Sequence, residues 1–302
     1  MVQVSVIIVN YNTFQLTSEA VESIIRYTKG VSYEIIVVDN ASTECDPGQF
    51  TERFGTAITL VRNPDNSGFA KGNNLGIQFA QGETILLFNS DAACLNDAFT
   101  LTYRALMAGP LVGLTTARLE YPTGAIQPSC GRFPSVGLQL LELARLQKLL
   151  SAEQKGRVLQ GTFFDYAQPL APDWVWGTYF HLRREVLERM PGRQLADDFF
   201  MYAEDLQWSY TVRQLGYDIR YVPGAHVLHH FSQSTKKEKQ LNQSHMILRN
   251  EDTFLRREYG WLHTKALYVS KLANFMLSRT DWQQRQQLMR QYVQLLLGNS
   301  LT

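Results

Sequence analysis

Three cysteines, Cys45, Cys94 and Cys130, are too few and too scattered for a disulfide framework, and no zinc-ligand spacing is visible. The chain therefore reads as the product of a reducing compartment. No apolar run approaches the roughly 20 residues of a membrane span. Neither sign of charge dominates: 29 basic against 28 acidic residues leave a formal charge of +1. That balance gives no ground for nucleic-acid binding. Two phosphate-binding signatures are missing as well. No G-x-G-x-x-G follows the first strand-like run, and no G-x-x-x-x-G-K-[ST] occurs, which argues against a dehydrogenase and a P-loop enzyme. The N-terminus enters a strand-like run without a basic segment or small-residue cleavage site. The expectation is a soluble cytoplasmic protein, with peripheral contact at the inner face of the plasma membrane left open.

What is present is a 302-residue chain, 45% hydrophobic, enough for a sizeable core. Val4–Val9, Glu34–Val38, Ile58–Val61 and the run before Asn89 are short, β-branched or continuous apolar segments, the pattern of strands covered on both faces. Helical periods alternate with them: Thr17–Tyr27, with Ala20, Val21, Ile24 and Ile25 on one face, and Gly68–Ala80. Further helices are expected over Asn96–Met107, Leu138–Leu150, Arg183–Met190 and Glu204–Leu215, and strands over Val112–Leu119, Asp173–Thr178 and Tyr217–Pro223. From Glu238 onward the chain reads as helical. Such alternation implies an α/β fold with a mostly parallel central sheet flanked by helices.

Strands in this first half end in small polar groups: Asn10-Tyr11-Asn12, Asp39-Asn40 and Asn89-Ser90-Asp91. Ligands of open α/β sheets sit beyond the carboxyl ends of the strands, and an Asp there can hold a hard cation that in turn holds a diphosphate. Asp, Asn and Ser also cap helices and make turns, so any one of these ends has a purely structural explanation. Lys71 can meet a phosphate or ribose, or be a solvated helix residue. Trp174 and Trp176 share a strand face, where an indole stacks on a sugar or fills a core. Glu204 and Asp205 complement a helix dipole, or, flanked by aromatic residues, supply a general base with a raised pKa. His226, His229 and His230 offer a metal ligand. The amphipathic C-terminal runs, with Lys265, Lys271, Arg279, Arg285 and Arg290 near their apolar faces, pack against protein or lie on anionic lipid.

Seven segments in order carry a resemblance: VSVIIVNYN (Val4–Asn12), VVDNAS (Val37–Ser42), NSGFAKGNNLG (Asn66–Gly76), LLFNSD (Leu86–Asp91), Gly177, FFMYAED (Phe199–Asp205) and HHFSQST (His229–Thr235). The sequence resembles the inverting family-2 glycosyltransferases of bacterial polysaccharide synthesis, most closely their rhamnosyltransferase-like branch, over Val4 to about Tyr259. The resemblance implies a GT-A fold, Rossmann-like, with a C-terminal helical extension. Residues 1–120 would bind the nucleotide sugar, 121–235 would form the acceptor and catalytic half, and 236–302 the extension. It implies that Asp39 binds the donor base, with Asn10, Asn12, Lys71, Asn74 and Asn89 nearby. Asn89-Ser90-Asp91 stands for the D-x-D motif, with Asp91 on a divalent cation, Mg2+ or Mn2+, and His229 close to that cation. Trp176, Gly177 and Glu204 fall on the acceptor and sugar side, and Asp205 is the base. Two residues depart from the pattern: Asn89 replaces the first acid, and Gln207 stands where relatives carry another Asp. The implied partners are a nucleoside-diphosphate sugar and a glycan or lipid-linked glycan, with membrane contact or a homodimer through the C-terminal helices. The branch suggests L-rhamnose from dTDP-rhamnose. A UDP-hexose donor, a catalytically inactive nucleotide-sugar-binding protein and a nucleotidyltransferase are the alternatives, the last lacking a glycine-rich basic triphosphate loop.

Overall fold

A computed structural model describes residues 1–230, 237–277 and 282–298. By its contacts the chain divides into two units: Met1–Gly131 with Asp165–Gln233, and Arg132–Phe164 with Ser234–Thr302. The strands of the first unit are β1 (Val4–Asn10), β2 (Tyr33–Asn40), β3 (Thr59–Asn63), β4 (Thr84–Phe88), β5 (Ala92–Cys94), β6 (Val112–Glu120), β7 (Ile126–Gln127), β8 (Cys130–Gly131), β9 (Trp174–Val175), β10 (Tyr179–Arg183) and β11 (Asp218–His229). Its helices are α1 (Phe14–Tyr27), α2 (Gly48–Phe54), α3 (Phe69–Ile77) and α4 (Ala98–Met107). The helical unit supplies α5 (Val136–Leu143) and α6 (Ala152–Leu159). The first unit resumes with α7 (Arg184–Arg189) and α8 (Glu204–Gln214), and α9 (Lys237–Leu277) and α10 (Trp282–Leu296) complete the second.

Among the described residues one nine-stranded sheet runs β3-β2-β1-β4-β10-β6-β11-β5, with β7 paired to β6. Its first four strands are parallel, as the buried apolar runs imply. Beyond β4 the sheet is mixed. β10 enters antiparallel between β4 and β6, β11 is parallel to β6, and β5 is antiparallel to β11. β10 reads Tyr-Phe-His-Leu-Arg, and its central His181 is fully buried between the hydroxyls of Thr84 and Thr102, at 2.8 and 2.9 Å. Burial pushes its imidazole down to about 3, so it is neutral in the sheet. β11 is longer than the expected Tyr217–Pro223 strand. It continues past Pro223 through a register shift between Val222 and His226, where the proline has no N–H to give.

Side chains of Val4, Val6, Ile8, Ile35, Val37, Phe88 and Phe99 meet Ala20, Val21 and Ile24 of α1 in a fully buried core. Each such aliphatic or aromatic side chain stabilises the fold by about 1.5–3 kcal/mol. A Cβ on Gly72 would lie 2.9 Å from Val9 Cγ1, so that glycine lets α3 sit close against β1.

In the helical unit, α9 is interrupted at Gly260 (φ 81°, ψ 165°). Asn274 of α9 donates to Gln139 O of α5 at 3.0 Å. Lys271 is buried, with its ammonium 3.0 Å from Glu251 and 3.1 Å from Tyr292 Oη. Burial alone would lower its pKa, but the Glu251 charge and the Tyr292 contact outweigh burial and raise it. Lys271 therefore ties helices together and is not available to an anionic surface. Arg279 lies outside the described residues. Among the described residues no helix is long and apolar enough to cross a membrane.

Candidate functional site

The parallel half of the sheet places Asn10 and Asp39 side by side at the ends of β1 and β2. Asn10 Nδ2 donates to Asp39 Oδ1 and to Ser42 Oγ, both at 2.9 Å. Its Oδ1 accepts from the hydroxyls of Thr13 and Thr17, at 3.0 and 2.8 Å. All four hydrogen-bonding positions of the amide are thus occupied, and Asn10 stands behind Asp39 as its brace. Asp39 Oδ2 accepts the Ser42 N–H at 3.2 Å. A carboxylate has about four lone-pair sites, so Asp39 keeps acceptor capacity for an N–H donor such as a base edge. Asn12, in the left-handed region at φ 53°, accepts from Thr43 N at 2.8 Å and Glu44 N at 3.2 Å, holding the loop after Asp39.

Asn40, beside Asp39 at the end of β2, organises the neighbouring loop. Its amide donates to Asn66 Oδ1 at 2.8 Å and Gly68 O at 3.3 Å, and its Oδ1 accepts Asn63 Nδ2 at 2.7 Å. Gly68 takes φ 85°, and a Cβ there would run into the Phe200 carbonyl oxygen, which also accepts the Phe69 N–H at 3.0 Å. The segment Asn66–Phe69 is thereby joined to the segment that precedes α8. Lys71 is exposed in the first turns of α3. Asn74 clamps the backbone of Leu195 with both amide atoms, Nδ2 to O at 2.8 Å and N to Oδ1 at 3.0 Å.

Past β4 the backbone N–H of Asn89 donates to Thr178 O at 3.1 Å, so Asn89-Ser90-Asp91 lies against Gly177-Thr178 at the start of β10. Asn89 Oδ1 is buried without a partner. Ser90 Oγ accepts from Thr13 Oγ1 at 3.1 Å. The β5–β11 register sets His229 opposite Ala92, and His230 N donates to Asp91 O at 3.0 Å. These contacts bring His229 Nε2 to 3.3 Å from Asp91 Oδ1. Burial would raise the Asp91 carboxyl, but the hydrogen bond and charge of His229, its own backbone hydrogen bond and the charge of His230 prevail and lower it. Trp176 lies edge-on to His229, with centroids 6.5 Å apart. Phe231 through Thr235, the rest of that segment, lie outside the described residues. Among the described residues no three His, Cys, Asp or Glu side chains converge on a metal position. Asp91 and His229 alone fit a cation that takes its other ligands from elsewhere.

The third group lies at the N-terminus of α8. Tyr202 and Ala203 both adopt left-handed backbone, φ 71° and 72°, immediately before Glu204 and Asp205. Two consecutive non-glycine residues there cost about 1–3 kcal/mol each and aim the first turn of the helix. Asp205 Oδ2 accepts the Gly177 N–H at 3.2 Å, and Oδ1 accepts the Leu206 N–H at 2.8 Å. Glu204 Oε2, by contrast, is buried without a partner. Burial raises both carboxyls, and the Asp205 charge raises Glu204 further, whereas backbone hydrogen bonds hold Asp205 lower. A single proton shared by this pair therefore resides on Glu204, and Asp205 carries the charge. Gln207, beside them, donates to Asp198 at 2.6 Å.

Backbone contacts thus run from Asp91 through Asn89 and Thr178 to Gly177 and Asp205, with Asp39 two strands from β4 in the same sheet. Such a sheet, parallel over β3-β2-β1-β4 and mixed beyond, is the GT-A fold of glycosyltransferases. The Pyrobaculum calidifontis mannosyltransferase PcManGT, solved with GDP-Man and Mn2+, matches it with a TM-score of 0.60 at 18% identity, over 98% of this chain and 87% of that one. A sequence model of the family described as Glycosyl transferase family 2 matches residues 5–151 of this chain. The Sinorhizobium fredii protein y4gI is 26% identical over 287 residues, 92% of this chain and 30% of its own length. The N-acetylglucosaminyl-diphospho-decaprenol L-rhamnosyltransferase of Mycobacterium tuberculosis is 22% identical over 254 residues, 75% of this chain and 76% of that protein. The chain spans half or less of the first curated relatives it matches.

Proposed function

We infer that the chain transfers a sugar from a nucleoside-diphosphate donor to a hydroxyl of a growing lipid-linked glycan, with inversion at the anomeric carbon. The observation that carries this reading is the contrast within the Glu204–Asp205 pair: Asp205 accepts two backbone N–H groups, which favour its charged form, whereas Glu204 Oε2 is buried without a partner. Asp205 is a base positioned next to the Asn89–Asp91 turn. It takes the proton of the acceptor hydroxyl as that oxygen bonds to the anomeric carbon. The bond from that carbon to the diphosphate breaks on the opposite face, and the nucleoside diphosphate leaves. Asp39 receives the base of the donor. Trp176, Gly177 and Glu204 border the acceptor and sugar side, and Lys71 is placed to meet donor phosphate or ribose.

Asp91 and His229 would hold a divalent cation, Mg2+ or Mn2+, with the donor diphosphate completing its ligands, since the described residues offer two. When bound, the ion supplies Lewis-acid stabilisation of charge on the leaving diphosphate. The Mn2+ in the mannosyltransferase structure supports a cation in general.

The proposed donor is dTDP-rhamnose, supported by the mycobacterial rhamnosyltransferase among the relatives. A thermal-shift screen of nucleotides and nucleotide sugars, with and without Mg2+ or Mn2+, tests it, because a bound ligand raises apparent stability by RT ln(1 + [L]/Kd). Preference for uridine nucleotides would replace rhamnose by a UDP-hexose. The reading includes peripheral membrane contact at the inner face of the plasma membrane, or pairing of two copies through the helical unit. Leu262, Val269 and Met276, seven residues apart on α9 and all exposed, support such a contact. Vesicle co-sedimentation and sedimentation velocity separate the two.

A further inference from the structure

Gln127 is fully buried in the two-residue strand β7, in a stretch where the sequence shows no chemistry. It touches the proposed cation ligand His229 twice. Its Nε2 donates to the His229 backbone oxygen at 2.7 Å, and its Oε1 lies 2.8 Å from His229 Nδ1. The first contact fixes the amide, because a carbonyl oxygen accepts only and must face the –NH2 group. Oε1 therefore faces Nδ1. An amide oxygen accepts only, so Nδ1 must carry the hydrogen. A neutral imidazole has a single N–H, which leaves the lone pair on Nε2. That atom faces Asp91 Oδ1 at 3.3 Å. Two acceptors at this distance are favourable only with a positive charge between or upon them, either a proton on Nε2 or a metal ion.

We propose that Gln127 is a positioning residue that sets the tautomer of His229, so that Nε2 presents its lone pair, beside Asp91, to a divalent cation. This rests on the reading of Asp91 and His229 as the cation site. The geometry gives Gln127 a role that bulk alone would not: an apolar residue of the same size keeps the packing and loses the tautomer. Outer partners of a metal-bound histidine change metal affinity by about 10–100-fold.

The test uses the full chain with 15N-labelled imidazoles. Long-range 1H–15N spectra are recorded without metal at about pH 8.5, where an imidazole is ordinarily neutral. His229 is assigned by the signal lost in His229→Gln. The expected result is a proton on Nδ1. In Gln127→Met the proton should move towards Nε2, and Mn2+ affinity, read by electron paramagnetic resonance with UDP as the diphosphate, should fall about 10–100-fold. An Nδ1 without its proton in the unsubstituted protein would overturn the proposal, and that spectrum needs no Gln127 variant to fold. A Gln127→Met protein with unchanged tautomer and unchanged affinity would do the same. The expected tautomer together with unchanged Mn2+ affinity in Asp91→Asn would instead overturn the cation reading, and the proposal with it, while leaving the proton on Nδ1.

Discussion

Replacing Asp205 by Asn removes one charge and one acceptor from a site in which both matter. The carboxylate accepts Gly177 N–H at 3.2 Å and Leu206 N–H at 2.8 Å. An Asn side chain can satisfy one of these with its oxygen, but its –NH2 then faces the other N–H. That mismatch costs about 1–3 kcal/mol. Loss of a buried like charge beside Glu204 offsets part of it, so the variant should fold with a melting temperature within a few degrees of the parent. Catalysis has no such compensation. General-base assistance contributes roughly 10²–10⁴-fold, equivalent to about 2.7–5.5 kcal/mol of barrier. The assay is acceptor-dependent release of nucleoside diphosphate at saturating donor. Asp205→Asn should lose two to four orders of magnitude in kcat, as the general-base term requires. Its donor binding should persist: nucleotide at 100 times Kd should still raise the melting temperature by about 5–10 °C, as it does for the parent. Turnover within about tenfold of the parent would refute the assignment of Asp205 as the base.

Asp91→Ala should weaken donor binding only when Mg2+ or Mn2+ is present, measured as nucleotide affinity with and without cation; an affinity equal to the parent's in both conditions would count against the cation site. The Glu204–Asp205 pair also predicts a pH dependence of stability. Both carboxyls are raised on folding, to about 8 and about 6, so the folded state binds more protons than the unfolded one. Their contribution is complete below the ordinary carboxylate range, and stability is lost as pH rises through about 6 to about 8. In denaturant titrations Glu204→Gln should flatten that fall, and an unchanged slope would contradict the shared proton. Gly68→Ala forces a Cβ into the Phe200 carbonyl at a backbone φ of 85°. It should cost about 1–3 kcal/mol and lower the melting temperature by several degrees; an unchanged melting curve would show that the Asn66–Phe69 segment does not depend on this contact.

The parallel half of the fold was legible because β1, β2 and β4 are buried on both faces, and double-sided burial leaves a continuous apolar run in the sequence. Strand β10 escaped because His181 and Arg183 interrupt its apolar residues. Its fitness for the sheet interior depends on hydroxyls from Thr84 and Thr102, 97 and 79 positions from His181, which no local pattern shows. The strand ends were legible as chemistry, but not the division of roles within them. Asn10 and Asp39 are equally polar in the sequence, yet one braces the other, because the amide has partners for all its positions and the carboxylate does not. Asn40 looks like a turn residue until Asn63, Asn66 and Gly68 close around it. The chemical difference between Glu204 and Asp205 arises from backbone N–H groups, one of them on Gly177, which composition and spacing leave invisible.

The most direct test is the anomeric configuration of the glycoside formed from the nucleotide sugar that the chain binds best, read by NMR as the product appears. A base acting on the acceptor beside a diphosphate leaving group predicts a single displacement, hence a product of opposite configuration to the donor. A product of retained configuration would contradict it.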